Sequence, residues 1–124
     1  MAANLSAEVL QTLEARLIAR EAQLKREIDA AALDVETEFE RASEREVGDD
    51  AAKYAAHEEL SVERAEIGRD RSELRAVQAA RARIGVGTYG LCADCGAAIQ
   101  IERLLAQPAA LRCMACQTAY ERSA

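Results

Sequence analysis

The chain contains few of the residues from which a large globular core is built. Among its 124 residues there is no tryptophan, one phenylalanine and three tyrosines, and much of the 50% apolar fraction is alanine. Alanine favours helix but buries little surface, so the composition argues against a large core. There is one proline, and the six glycines lie mostly towards the C-terminus. A long uninterrupted segment rich in Ala, Glu, Arg and Leu is typical of long or coiled-coil helices.

The sequence also lacks a basic patch, a membrane-spanning segment, and any recognisable combination of nucleophile and general base. Its net charge of −6 lies wholly in residues 1–84, with 19 acids and 13 bases, whereas residues 85–124 hold three of each. Neither part has the excess of basic residues with which nucleic-acid-binding proteins contact phosphates. No apolar run approaches the roughly 18 residues of a membrane span, and the polar, acidic N-terminus does not resemble a secretory signal. We therefore predict a cytoplasmic, non-enzymatic protein, monomeric, with a protein partner and no direct DNA or membrane binding.

The four cysteines form two C-x2-C pairs, Cys92 with Cys95 and Cys113 with Cys116, separated by seventeen residues. This spacing is that of a four-cysteine zinc site, in which two tight turns aim four thiolates at one ion. Two disulfides would need an oxidising compartment, and a thioredoxin-like pair would need a βαβ context. We predict one structural zinc, with no open coordination position. The single histidine, His57, lies in a charged helical stretch and is interpreted as solvated.

Two long helices are predicted before the cysteines. The first runs from Leu5 to about Glu46 with Ser6 as N-cap, and the second from about Ala51 to Ile84. The break at Val47-Gly48-Asp49-Asp50 suits a turn, with a glycine to end one helix and an aspartate to cap the next. An antiparallel hairpin pairs positions whose numbers sum to about 98, which sets Phe39 against Leu60, Leu24 against Leu74, and Leu13 against Ile84. An intermolecular coiled coil is the alternative.

The predicted fold is thus mostly α. A long antiparallel coiled-coil hairpin occupies residues 1–84, with its tip at about 47–52, and a small four-cysteine zinc ribbon occupies residues 85–124. Within the ribbon we expect a flexible glycine-rich joint at residues 85–90, a short strand at 98–101, and a closing helix from Cys116 to about Arg122.

The run GTYGLCADCG, followed by IERL, Pro108 and CMACQ, resembles the DksA/TraR family of bacterial transcription regulators. The resemblance covers residues 45–122 in detail and the first helix in pattern only. It implies a protein that binds RNA polymerase rather than DNA, and inserts its helical arm through the secondary channel towards the active centre. It also implies that acids at the arm tip act there, and that the zinc module anchors the arm at the channel rim.

The chain differs from the family pattern at two places. The family tip has two aspartates three residues apart, whereas this chain has the adjacent pair Asp49 and Asp50, which can also serve as helix caps. The positions matching basic residues that hold guanosine tetraphosphate are Ala76, Gln107 and Gln117, all neutral, so we expect little dependence on that nucleotide. The alternative functions are a zinc-stabilised rod that binds another helical protein and, less consistent with the uncharged ribbon, a nucleic-acid binder.

Overall fold

The chain folds into the two long helices and the short C-terminal helix that the sequence predicts. The structure, a computed structural model, describes residues 5–44 and 50–123, and the side chains within them except those of residues 39, 42–44 and 50–60. The described helices are α1 (Ala7–Glu44), α2 (Asp50–Val86), α3 (Ile101–Ala106) and α4 (Met114–Ser123). The predicted break between α1 and α2 falls largely on residues 45–49, outside the described part of the chain.

Ser6 caps α1 as predicted. Its Oγ accepts a hydrogen bond from the Val9 backbone N–H at 3.1 Å, and its carbonyl oxygen accepts one from Leu10 N–H at 2.9 Å. Glu8 lies in the first turn, where a carboxylate is favoured by the positive end of the helix dipole. None of the described helices is both long enough and apolar enough to cross a membrane.

The segment Gln23–Leu74 forms one compact unit, built from the C-terminal part of α1 and the N-terminal part of α2. Ile28, Val35 and Ile67 are buried together, and Ala31 and Leu74 pack against them. Residues of both apolar stripes meet in this cluster, so α1 and α2 pack against each other in this unit. The predicted Phe39–Leu60 pair involves side chains outside the described set.

Residues 1–22 and 75–124 form the second compact unit, which contains the other ends of both long helices and the cysteines. Its core includes the buried residues Leu13 and Leu17 of α1 and Val77 and Ala80 of α2. Beside them Glu21, only 8% exposed, accepts a short charge-assisted hydrogen bond from Arg81. The intramolecular hairpin therefore buries the apolar face of each long helix within one chain.

The end of α2 corrects the prediction of a flexible joint. The helix continues to Val86, two residues past its predicted end, and Gly87 takes φ +80°. Thr88 N–H then donates to the Arg83 carbonyl oxygen at 2.9 Å, and Gly87 N–H donates to that of Ile84 at 3.2 Å. These two bonds form a Schellman cap, whose left-handed residue is most often glycine. The glycine-rich segment is therefore a defined helix terminus.

The remainder of the cysteine-containing segment has less strand and more helix than expected. Leu91 and Ala98 form an isolated antiparallel bridge, but the strand predicted over residues 98–101 does not form. Gln100 is extended and precedes α3, which the sequence analysis did not predict and which buries Leu104 completely. The closing helix is confirmed, and begins at Met114 rather than at Cys116.

Candidate metal centre

The first cysteine pair lies on a tight backbone turn between Leu91 and Ala98. Cys92 N–H donates to the Ala97 carbonyl oxygen at 2.7 Å, and Gly96 N–H donates to the Cys92 carbonyl oxygen at 3.0 Å. Gly96 has φ +77°, a conformation in which a side chain would be strained. The glycine after the C-x2-C pair thus closes the turn that presents both sulfurs on one side.

The second cysteine pair uses the start of a helix. Cys113 directly precedes α4, and its carbonyl oxygen accepts a hydrogen bond from Gln117 N–H at 2.9 Å. Cys116 lies in the first turn of the same helix.

The structure brings the four predicted ligands together. Their Sγ atoms all lie within 4.8 Å of one another, and those of Cys95 and Cys113 are 3.8 Å apart. Four thiolates about 2.3 Å from a zinc ion at the centre of a tetrahedron are separated from each other by about 3.8 Å. A disulfide would require about 2.05 Å, and all four cysteines are free. The site therefore fits one structural zinc ion.

The thiols of Cys92 and Cys116 differ strongly in their pKa values. Burial raises the pKa of Cys92, but backbone hydrogen bonds from Cys95, Cys113 and Asp94 outweigh it and lower the pKa to about 6. The pKa of Cys116 is raised to about 12, first through its hydrogen bond to Cys113. Zinc binds the thiolate form of cysteine, so zinc binding is accompanied by release of the thiol protons.

Several contacts that hold the two cysteine turns in place were not predicted, although Tyr89, Asp94, Arg103 and Pro108 lie in the motifs that carry the family resemblance. Tyr89 O–H donates to the Pro108 carbonyl oxygen at 2.8 Å, and Arg103 Nε donates to the Arg112 carbonyl oxygen at 3.0 Å. Arg112 Nε donates to Asp94 Oδ2 at 2.8 Å, which joins the two turns directly. None of these pairs has a spacing or motif that would reveal it before the fold is known.

The acids predicted at the arm tip cannot be placed in the same way. Asp49 lies outside the described residues, and Asp50 is the first residue of α2, with its side chain outside the described set. Their role stays a prediction.

Comparisons with known proteins support the zinc module and the fold. Residues 87–122 match the family model described as the prokaryotic dksA/traR C4-type zinc finger, which confirms the resemblance for the zinc module. The fold is similar to that of the transcription factor DksA2 from Pseudomonas aeruginosa, with a TM-score of 0.53 and 23% sequence identity over 88% of this chain and 85% of that chain. No curated protein sequence matches the chain.

Proposed function

Because the zinc module of this chain belongs to the dksA/traR C4-type family, we propose that the protein is a transcription regulator that binds RNA polymerase. The observation that carries the proposal is the combination of this module, at residues 87–122, with a helical hairpin similar to that of a transcription factor. We assign Cys92, Cys95, Cys113 and Cys116 as the ligands of its structural zinc. Residues 1–84 are the arm and residues 85–124 the zinc finger domain in this proposal.

The arm acts by entering the secondary channel of the polymerase. Helices α1 and α2 have 38 and 37 residues, so each is about 55 Å long at 1.5 Å per residue. Asp49 directly precedes α2 and Asp50 is the first residue of that helix, and these two are the acids that approach the active centre. A carboxylate there interacts with the metal ions and phosphates of the catalytic site by charge, a role that a neutral amide cannot perform.

Guanosine tetraphosphate has little influence on this activity. Ala76 and Gln107 are exposed and neutral, and the side-chain amide of Gln117 donates to Glu121 Oε1 at 3.1 Å. A polyphosphate ligand is held by cationic, charge-assisted hydrogen bonds, which these three positions do not offer.

The second candidate function is an interaction module whose rod binds another helical protein. The observation in its favour is that Leu33 of α1 is 63% exposed and Val62 of α2 is 57% exposed. Affinity capture with purified RNA polymerase at low salt, with competition by another secondary-channel factor, separates the two functions. Binding that the competitor displaces supports the regulator, and failure to bind polymerase favours the interaction module.

The decisive test of the arm is in vitro transcription with the cognate polymerase, with and without guanosine tetraphosphate. Asp49→Asn combined with Asp50→Asn retains the helix-capping oxygen but removes both charges, and should abolish regulation while leaving polymerase binding intact. The matched control is Asp29→Asn with Asp34→Asn, which removes two charges from exposed positions on α1. Full regulation by the Asp49/Asp50 variant would contradict the role of the tip acids.

A further inference from the structure

The two cysteine turns are joined by contacts that do not involve a metal ion. Asp94 directly precedes Cys95, and Arg112 directly precedes Cys113. The Arg112 Nε–Asp94 Oδ2 ion pair, at 2.8 Å, therefore lies beside the two cysteines whose Sγ atoms are 3.8 Å apart. A second bond also joins the two turns, from Ala93 N–H to the Leu111 carbonyl oxygen at 2.9 Å.

Arg112 also contacts the helix that carries the fourth cysteine. Its guanidinium carbon lies 4.0 Å from the centroid of the Tyr120 ring, on α4. The Arg112 side chain is 21% exposed, so this cation–π contact and the ion pair are partly shielded from water. The Arg112 guanidinium thus contacts both the first cysteine turn and α4. The Arg112 backbone is directly bonded to that of Cys113, in the second cysteine turn.

We propose that Asp94, Arg112 and Tyr120 form a clamp that holds both cysteine turns in the metal-binding arrangement and slows the release of zinc. The three are positioning residues, because none of them supplies a ligand atom. Residues behind metal ligands typically change metal affinity by about 10- to 100-fold. Since the Asp94 side chain is 46% exposed, we expect the lower end of that range, about tenfold in the rate of zinc loss.

A simple charge effect predicts a different result. Four thiolates around zinc carry excess negative charge, which a nearby arginine stabilises and a nearby aspartate destabilises. If only charge mattered, Asp94→Asn would slow zinc release and Arg112→Met would accelerate it. The clamp predicts that both changes accelerate release, because each breaks the same contact. The signs of the two effects therefore distinguish the clamp from local electrostatics.

The experiment measures the rate of zinc transfer from the full chain to excess chromophoric chelator. We expect Asp94→Asn and Arg112→Met each to accelerate transfer about tenfold, and the double variant to be no faster than the faster single variant. Tyr120→Phe, which keeps the ring, should release zinc at the wild-type rate, whereas Tyr120→Leu should accelerate it. The control is Glu38→Gln, which breaks an exposed ion pair with Arg41 within α1 and should leave the rate unchanged.

Cobalt substitution shows whether the site itself persists, because tetrahedral thiolate coordination gives characteristic visible absorption bands. The charge-swapped variant, Asp94→Arg with Arg112→Asp, restores the ion pair and should recover a substantial part of the slow release. That recovery also decides the outcome if a single variant fails to retain metal. Opposite effects of the two single variants, effects that multiply in the double variant, or no recovery on charge swapping would each overturn the proposal.

Discussion

Tyr89, next to the Schellman cap, donates its phenol hydroxyl to the carbonyl oxygen of Pro108, 19 residues later, at 2.8 Å. The bond spans the cysteine-containing segment from its entry to the turn before the second cysteine pair. Tyr89 is only 5% exposed, and burial raises the pKa of its hydroxyl to about 12, against the opposing charge of Arg16. The contact connects a buried tyrosine to the one proline of the chain.

The raised pKa of Tyr89 predicts a loss of stability at high pH. An unfolded tyrosine ionises near pH 10, whereas the folded one stays neutral up to about 12. Its contribution is thus fully present below pH 10 and disappears as pH rises to 12, with a total of roughly 2–3 kcal/mol. Chemical denaturation at several pH values measures this loss, and absorbance titration should show one of the three tyrosines ionising last.

Tyr89→Phe is the matched variant for that experiment. It should cost about 1–2 kcal/mol at neutral pH, because the Pro108 carbonyl oxygen loses its donor, and it should remove the stability loss specific to pH 10–12. An unchanged pH profile in Tyr89→Phe would show that another group titrates.

The ion pair between Arg81 and Glu21 should contribute more stability than an exposed pair of the same type. Arg81→Met leaves a carboxylate only 11% exposed without this cation and should destabilise the chain by about 1–2 kcal/mol. Arg41→Met, which breaks an ion pair with Glu38 whose side chains are 63% and 53% exposed, should cost less than about 0.5 kcal/mol. Urea denaturation measures both, and equal losses would contradict the role of burial.

Two glycines in or next to α2 should respond in opposite ways to replacement by alanine. A Cβ at Gly68 would meet no atom within 4 Å, so Gly68→Ala should stabilise the helix by about 0.5–1 kcal/mol. Gly87 also has open space, but its φ of +80° is strained for alanine, so Gly87→Ala should destabilise by about 1 kcal/mol. Thermal unfolding compares them, and a loss of stability in Gly68→Ala would indicate a constraint at this position that the structure does not show.

Removing zinc should affect the cysteine-containing segment far more than the middle of the arm. Structural zinc sites contribute on the order of 10 kcal/mol to folding, whereas the buried cluster of Ile28, Val35 and Ile67 contains no metal ligand. Hydrogen exchange after chelation should therefore show lost protection in α3 and α4 and retained protection near Ile67. Equal loss in both places would mean that the two regions unfold together.

The sequence predicts those features that depend on local pattern. The C-x2-C spacing identifies the zinc site, and apolar positions in steps of three and four predict α1, α2 and the packing of their apolar faces against each other. The same reasoning fails where tertiary contacts decide the outcome. Residues 98–101 alternate like a strand, yet burial of Leu104 and the extended Gln100 make residues 101–106 a helix. The three glycines at residues 85–90 suggested a flexible joint. The helix cap at Gly87 could not be predicted from them, because its hydrogen bonds form only when the chain folds back to Arg83.

The contacts of Arg83 constrain the length of the arm. Its Nη2 donates to the carbonyl oxygens of Thr88 and Leu91, and Leu91 directly precedes Cys92, so the last turn of α2 has a fixed rotational setting against the first cysteine turn. One residue inserted into α2 would rotate the helix on one side of the insertion by about 100° relative to the other. Insertions that preserve both this setting and the apolar face complete nearly whole turns, for example seven or eleven residues, matched by the same number in α1. The length of such an arm therefore changes by nearly whole helical turns rather than by single residues, with about 10 Å added by seven residues.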